Sequence, residues 1–122
     1  MYSVEIKKTS EEFTKKERIA IKDTTDAVKL DDATKENALI ITPVAYAILD
    51  IHNDKSENPD YEVYVVLADD GQRYVTGSNS FFSSFLQIFD EMKDEDDEWG
   101  IKIFRSPSNN YKGKDFLTCS IV

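Results

Sequence analysis

From Ala38 onward the chain carries a dense apolar pattern that its first third lacks. In ALIITPVAYAILDIHN (Ala38 to Asn53), Val44, Tyr46 and Ile48 alternate with Ala45, Ala47, Leu49 and Ile51, which are apolar as well. Such β-rich content at both parities predicts a strand covered on both faces. Pro43 has no N–H to give a ladder, so the strand needs it at a bulge or an edge. Thr42-Pro43 would also suit the start of a helix, and the strand is the favoured reading. After a polar loop from His52 to Asp60, the stretch Tyr61 to Gly77 reads as a hairpin around Asp70-Gly71, a dipeptide that accepts the positive φ angles of a two-residue turn. With Asp69 paired to Gln72, the ladder puts Tyr64, Val66, Ala68, Arg73, Val75 and Gly77 on one face, and Val65, Leu67, Tyr74 and Thr76 on the other.

Ser78-Asn79-Ser80 supplies cap residues for a helix over 81–92, in which Phe81, Phe85 and Phe89, and likewise Phe82, Leu86 and Ile88 or Met92, recur at helical spacing. A strand from Trp99 to Arg105 follows, with Ile101 and Ile103 on one side and Lys102 and Phe104 on the other. SPSNNYKGK is a turn-rich tip, and Asp115 to Val122 returns as a strand with Leu117, Cys119 and Ile121 inward and Phe116, Thr118 and Ser120 opposite. The first 37 residues are polar. They suggest a short edge strand through Val4 and Ile6, a capping box at Thr9-x-x-Glu12 before a helix ending near Lys22, and a loop from Asp23 to Asn37 that packs only Ala27, Val28 and Leu30. The order of three strands, one helix and two strands predicts a mainly β, single-domain fold. It is a five-stranded OB-fold-like Greek-key barrel over 38–122, its helix between strands 3 and 4, behind a polar N-terminal extension over 1–37. Barrels of that type hold oligonucleotides or oligosaccharides on a sheet face and in the loop between the last two strands.

Length and composition fit this picture: 122 residues, 40% of them hydrophobic, make one core. No run approaches the roughly 18 apolar residues of a membrane span, and MYSVEIKK lacks a secretory apolar segment, so a soluble, cytoplasmic protein without a membrane partner is expected. The single Cys119 has no partner for an internal disulfide and reads as a small buried hydrophobe. A net charge of −9 argues against nucleic acid until its distribution is considered. Residues 90–98 (DEMKDEDDE) hold seven acids and one lysine, −6 of that total, whereas residues 99–122 set Lys102, Arg105, Lys112 and Lys114 against Asp115 alone, a balance of +3.

Single-stranded nucleic acid is held by rings that stack on bases and cations that follow the backbone. The terminal hairpin offers both: Lys102, Phe104, Arg105, Tyr111, Lys112, Lys114 and Phe116 form the candidate nucleic-acid-binding set, with Gly113 allowing the tip to bend. Tyr64, Arg73 and Tyr74 on the earlier hairpin would extend the platform. The competing reading packs Phe104 and Phe116 under the N-terminal segment and leaves the tip as ordinary solvated loop. The acidic run is a solvated loop, a phosphate mimic or a contact for a basic partner; it lacks the ligand spacing and glycine of a calcium loop. His52 stands alone, and no nucleophile elbow, P-loop, zinc spacing or dinucleotide fingerprint occurs, so neither an enzyme nor a cofactor or metal is expected.

GSNSFFSSFLQIFDEM followed by WGIKIFRSPSNNYKGKDFLTCSIV resembles the C-terminal half of small single-stranded DNA-binding proteins of bacteriophages and mobile elements of Gram-positive bacteria. The likeness runs more faintly back to about Ala38 and covers roughly two-thirds of the chain. It implies an OB-fold that coats single strands in the host bacterial cytoplasm during replication or recombination, with Ile101 to Phe116 as a binding arm. Bacterial single-strand binders end in an acidic tail, whereas the acid here is internal and the sequence runs out through Ser120-Ile121-Val122. The resemblance therefore does not extend to tail-type recruitment or to a tetramer. The expected function is sequence-tolerant binding of single-stranded DNA, with replication or recombination proteins and further copies of the chain as additional partners. The alternative is an acidic inhibitor that mimics DNA toward a host nucleic-acid enzyme.

Overall fold

In the computed structural model, which describes residues 2–107 and 114–122, strands dominate and divide into two sheets. The elements in order are β1 (Tyr2–Thr9), α1 (Lys15–Lys22), β2 (Val28–Lys29), α2 (Leu30–Ala33), β3 (Leu39–Ile41), β4 (Pro43–Asn53), β5 (Asp60–Ala68), β6 (Arg73–Thr76), α3 (Asn79–Met92), β7 (Ile101–Pro107) and β8 (Asp115–Ile121). The large sheet runs β1-β4-β5-β6-β2 and the small one β3-β7-β8. The mainly β expectation holds. A closed five-stranded barrel does not form among the described residues: β6 pairs with β5 and β2, and β8 pairs with β7 alone. Beside β8 lies α3, whose Ser80 hydroxyl donates to the Leu117 carbonyl at 2.8 Å.

The chain passes between the sheets at Thr42, the single residue separating β3 from β4. The Asp69 N–H donates to the Thr42 carbonyl at 2.9 Å, and the β4–β5 register slips between Pro43 and Ala45. Pro43 thus sits at the irregularity its missing N–H requires. Gly100 also passes close here. A Cβ on it would stand 2.9 Å from the Ile41 carbonyl oxygen, so only glycine lets the chain enter β7 without displacing β3.

The N-terminal third is not an extension. β1 forms seven register pairs with β4, and β2 pairs in parallel with β6. Leu30 in α2 is fully buried. The polarity of this segment reflects its position: β1 is an edge strand whose Val4 and Ile6 are only half-buried. The capping box is also displaced. Thr14, not Thr9, accepts from the Glu17 N–H at 3.2 Å while Glu17 accepts from the Thr14 N–H at 2.8 Å, so the helix begins one T-x-x-E repeat later.

The large sheet buries both its faces, and β4 shows how. Tyr46 and Ile48 point into an aromatic core with Phe81, Phe82, Phe85 and Phe89 of α3 and Ile101, Ile103, Leu117 and Cys119 of the small sheet. Ala47, Leu49 and Ile51 point into an aliphatic core with Val65, Val75 and Ile21 of α1. The predicted helix is present and capped by Ser78, whose hydroxyl accepts from the Phe81 N–H at 3.2 Å. The Tyr46 ring meets Phe82, Phe85 and Phe89 edge-on with centroids 5.5, 5.9 and 5.5 Å away, an arrangement that suits the ring quadrupoles.

The β5–β6 hairpin turns where expected but with three loop residues instead of two. Gly71 N–H donates to the Ala68 carbonyl and Ala68 N–H to the Gln72 carbonyl, both at 3.2 Å, and Gly71 alone has positive φ, +81°. A type I turn closed by a left-handed glycine is a common three-residue solution. The ladder consequently slips by one: Tyr64 opposes Thr76, Val66 opposes Tyr74 and Leu67 opposes Arg73. A one-residue slip exchanges faces. Tyr74 and Thr76 join Tyr64 and Val66, while Arg73 and Val75 join Val65 and Leu67.

Candidate nucleic-acid interface

In β7 and β8 the period of two separates a buried face from an outer one. Ile101, Ile103, Leu117 and Cys119 are buried, and burial pushes the Cys119 thiol up to about 12, consistent with the hydrophobic role expected of it. Ile121, expected inward, is 49% exposed at the end of the last strand.

The outer face is built from cross-strand pairs: Ile40 opposite Lys102, Lys102 opposite Ser120, Phe104 opposite Thr118 and Ser106 opposite Phe116. Lys102 is exposed and its Nζ lies 6.0 Å from the Phe104 ring centroid, within cation–π reach. Phe104 is half-buried and Phe116 is 39% exposed. The register places Phe116 diagonally from Phe104 on the same side, a separation of roughly 7–8 Å in an antiparallel pair. Lys114, exposed, precedes β8. Two aromatic rings, Lys102 and the hydroxyls of Ser106 and Ser120 therefore share one surface, while the Thr118 hydroxyl meets that of Ser84 in α3 at 3.2 Å. Thr118 and Ser120 lie on the face the alternation gave them, whereas Ile40, 64% exposed, and Ser106 were not singled out from the sequence.

The remaining candidates fare differently. Tyr111 and Lys112 lie outside the described residues. Arg105 is not on the outer face: it shares parity with Ile101 and Ile103, and its guanidinium donates to the Asp31 carbonyl, tying β7 to α2. Tyr64 is buried and stacks on Phe82 with centroids 4.2 Å apart. Tyr74 is buried too, and its hydroxyl donates to Asp70 at 2.7 Å. Burial together with that carboxylate pushes the Tyr74 phenol up to about 12. Arg73 is half-buried on the opposite face of the sheet, beside Phe13, Ile21 and Leu67. The extended platform on the first hairpin is therefore not formed, because the large sheet is covered where those rings point.

The acidic run begins in the last turn of α3 and ends at Glu98, shortly before β7 starts at Ile101, whereas β7 ends at Pro107. Six strand steps put roughly 20 Å between these two ends. The carboxylates thus sit at the far end of the ribbon from Lys114. His52, at the end of β4, is bracketed by Asp60 on Nδ1 at 2.7 Å and Asp54 on Nε2 at 2.5 Å. Hydrogen bonds to Asp60 and Asp54 raise its pKa, and these two contacts brace the β4–β5 turn. Among the described residues no cluster of His, Cys, Asp and Glu is arranged to hold a metal, and no helix is long and apolar enough to cross a membrane. Comparison with protein-family models, with curated proteins and with solved structures finds no match for this chain.

Proposed function

We propose that this chain binds single-stranded DNA without strong sequence preference, using the outer face of the β7–β8 ribbon as a stacking platform. The observation that carries the reading is the shared outer face of Lys102, Phe104 and Phe116, which runs along the ribbon from Lys102 near the acidic run to Phe116 at the far end. Solvent-facing rings beside cations suit bases and phosphates of an unpaired strand. Phage-type replication or recombination is the setting proposed for it, on the strength of the sequence resemblance.

An OB-type arrangement is part of the same proposal. One chain segment, 39–53, pairs with β7 through its first part and with β5 through its second, switching sheets at an irregularity. The β4-β5-β6 meander, α3 and the β7–β8 ribbon then follow in the order of a partly open Greek-key barrel. The gap between β6 and β8 is the opening.

Fluorescent oligo-dT titrated at low and high salt tests the reading. Binding that weakens steeply with salt is expected, because phosphates neutralised by Lys102 and Lys114 release counterions. Absence of binding at low salt, or affinity indifferent to salt, would refute it. Charge neutralisation of Asp94 to Glu98 separates the reading from the DNA-mimic alternative: it should leave or improve oligo-dT binding.

A further inference from the structure

Helix α1 rests on the aliphatic core through Ile21 and leaves a cationic stripe outside. Lys15, Arg18, Ile19 and Lys22 fall at i, i+3, i+4 and i+7, a single helical face. Ile19 is 68% exposed at the middle of this stripe. Lys15, Arg18 and Lys22 make no ion pair among the described residues. A bare isoleucine rimmed by cations that have no partner of their own is an unpartnered knob.

A surface of opposite charge lies elsewhere on the same chain. Val44, Phe89, Lys93, Asp97, Glu98 and Trp99 line a cleft of about 280 Å³. Val44 within it is 52% exposed, and Asp97 and Glu98 belong to the exposed 90–98 run with its balance of −6. Phe89 and Trp99 belong to the aromatic core and Ile21 of α1 to the aliphatic one, so the large sheet stands between knob and cleft. They cannot meet within one molecule.

We infer that the occupant is a second copy of this chain, with Ile19 of one copy seated in the Val44–Trp99 cleft of the next and Arg18 and Lys22 facing its Asp97 and Glu98. Because the two patches are different surfaces, the contact is heterologous and repeats head to tail. The copies repel through their net charge, but that repulsion is screened beyond about 10 Å at ordinary ionic strength, while touching pairs keep their attraction. Burial of the isoleucine anchors the contact and the charges set its orientation.

Sedimentation velocity on the full chain without nucleic acid tests this separately from any DNA reading. The average mass should climb past that of a dimer with concentration at ordinary ionic strength and fall back at high salt. Ile19→Asp and Val44→Asp should each weaken association at least ~10-fold. An equimolar mixture of the two should stop at a heterodimer, since one intact contact survives in it. Both substituted side chains are more than half exposed, so melting curves should match the wild type; if Val44→Asp misfolds, Asp97→Lys with Glu98→Lys replaces it. A wild-type chain that stays monomeric throughout, undiminished association of either variant, or a mixture as monomeric as its components would overturn the inference. So would loss of oligo-dT binding by Ile19→Asp without any change in mass, which would assign the stripe to nucleic acid.

Discussion

In the β5–β6 hairpin Tyr64 stacks on Phe82 and Tyr74 donates to Asp70, whereas in the β7–β8 hairpin Phe104 and Phe116 look outward beside Lys102. Residue types are similar in the two, and their surroundings are not. β5 is the central strand of a sheet packed on one side by α3 and on the other by α1. The β7–β8 ribbon packs Ile101, Ile103, Leu117 and Cys119 on one side, and its other side presents Lys102, Ser120 and Phe116 to solvent. Whether a ring holds the fold together or is available to a ligand is decided by the layers around its strand.

The comparison predicts opposite responses to truncation. Tyr64→Ala should cost about 3–5 kcal/mol in urea-induced unfolding, the range for emptying a buried aromatic site. Phe116→Ala should alter unfolding by less than about 1 kcal/mol, as surface changes do. It should instead weaken oligo-dT binding, and Phe104→Ala likewise, by about 1–3 kcal/mol per lost stack. A Phe116→Ala protein as unstable as Tyr64→Ala would erase the distinction. Lys102→Ala is a smaller effect: the slope of log affinity against log salt should shrink by about one while unfolding is unaffected.

The mildest test is optical. The Tyr74 phenol is raised from 10.0 to about 12, so its neutral form is favoured by folding. The stability it contributes is complete below its ordinary value and is lost as pH rises through about 12. Alkaline absorbance titration should show Tyr74 ionising after the exposed tyrosines, and Tyr74→Phe should diminish the late step, to which Tyr64, also raised by burial, contributes. Ionisation alongside exposed tyrosines would place the ring outside the core.

Much of the second half was legible because its signals are local. The Phe81-Phe85-Phe89 spacing and the Ser78 cap mark α3, and Ile101, Ile103, Leu117 and Cys119 mark the buried face of the ribbon. Asp70-Gly71 located its turn, but loop length depends on which residue pairs across the ladder, and Ala68 with Gln72 closes a three-residue loop that no dipeptide announces. That slip alone moved Tyr74 and Arg73 to the wrong faces. The first third was poorly legible because its strands take their partners from distant residues: β1 from β4, and β2 from β6. Two T-x-x-E spacings five residues apart offered equal caps, and Phe13 and Ile21, which reach the aliphatic core, select the second. Arg105 was legible in principle from its parity with Ile103; its attachment to Asp31 was not.

A single residue, Thr42, separates β3 of the small sheet from β4 of the large one, and its carbonyl takes the Asp69 N–H. So short a link couples the two sheets, and their unfolding is expected to be cooperative. Trp99 fluorescence, which reports the aromatic core, and far-ultraviolet circular dichroism should trace one coincident denaturation curve.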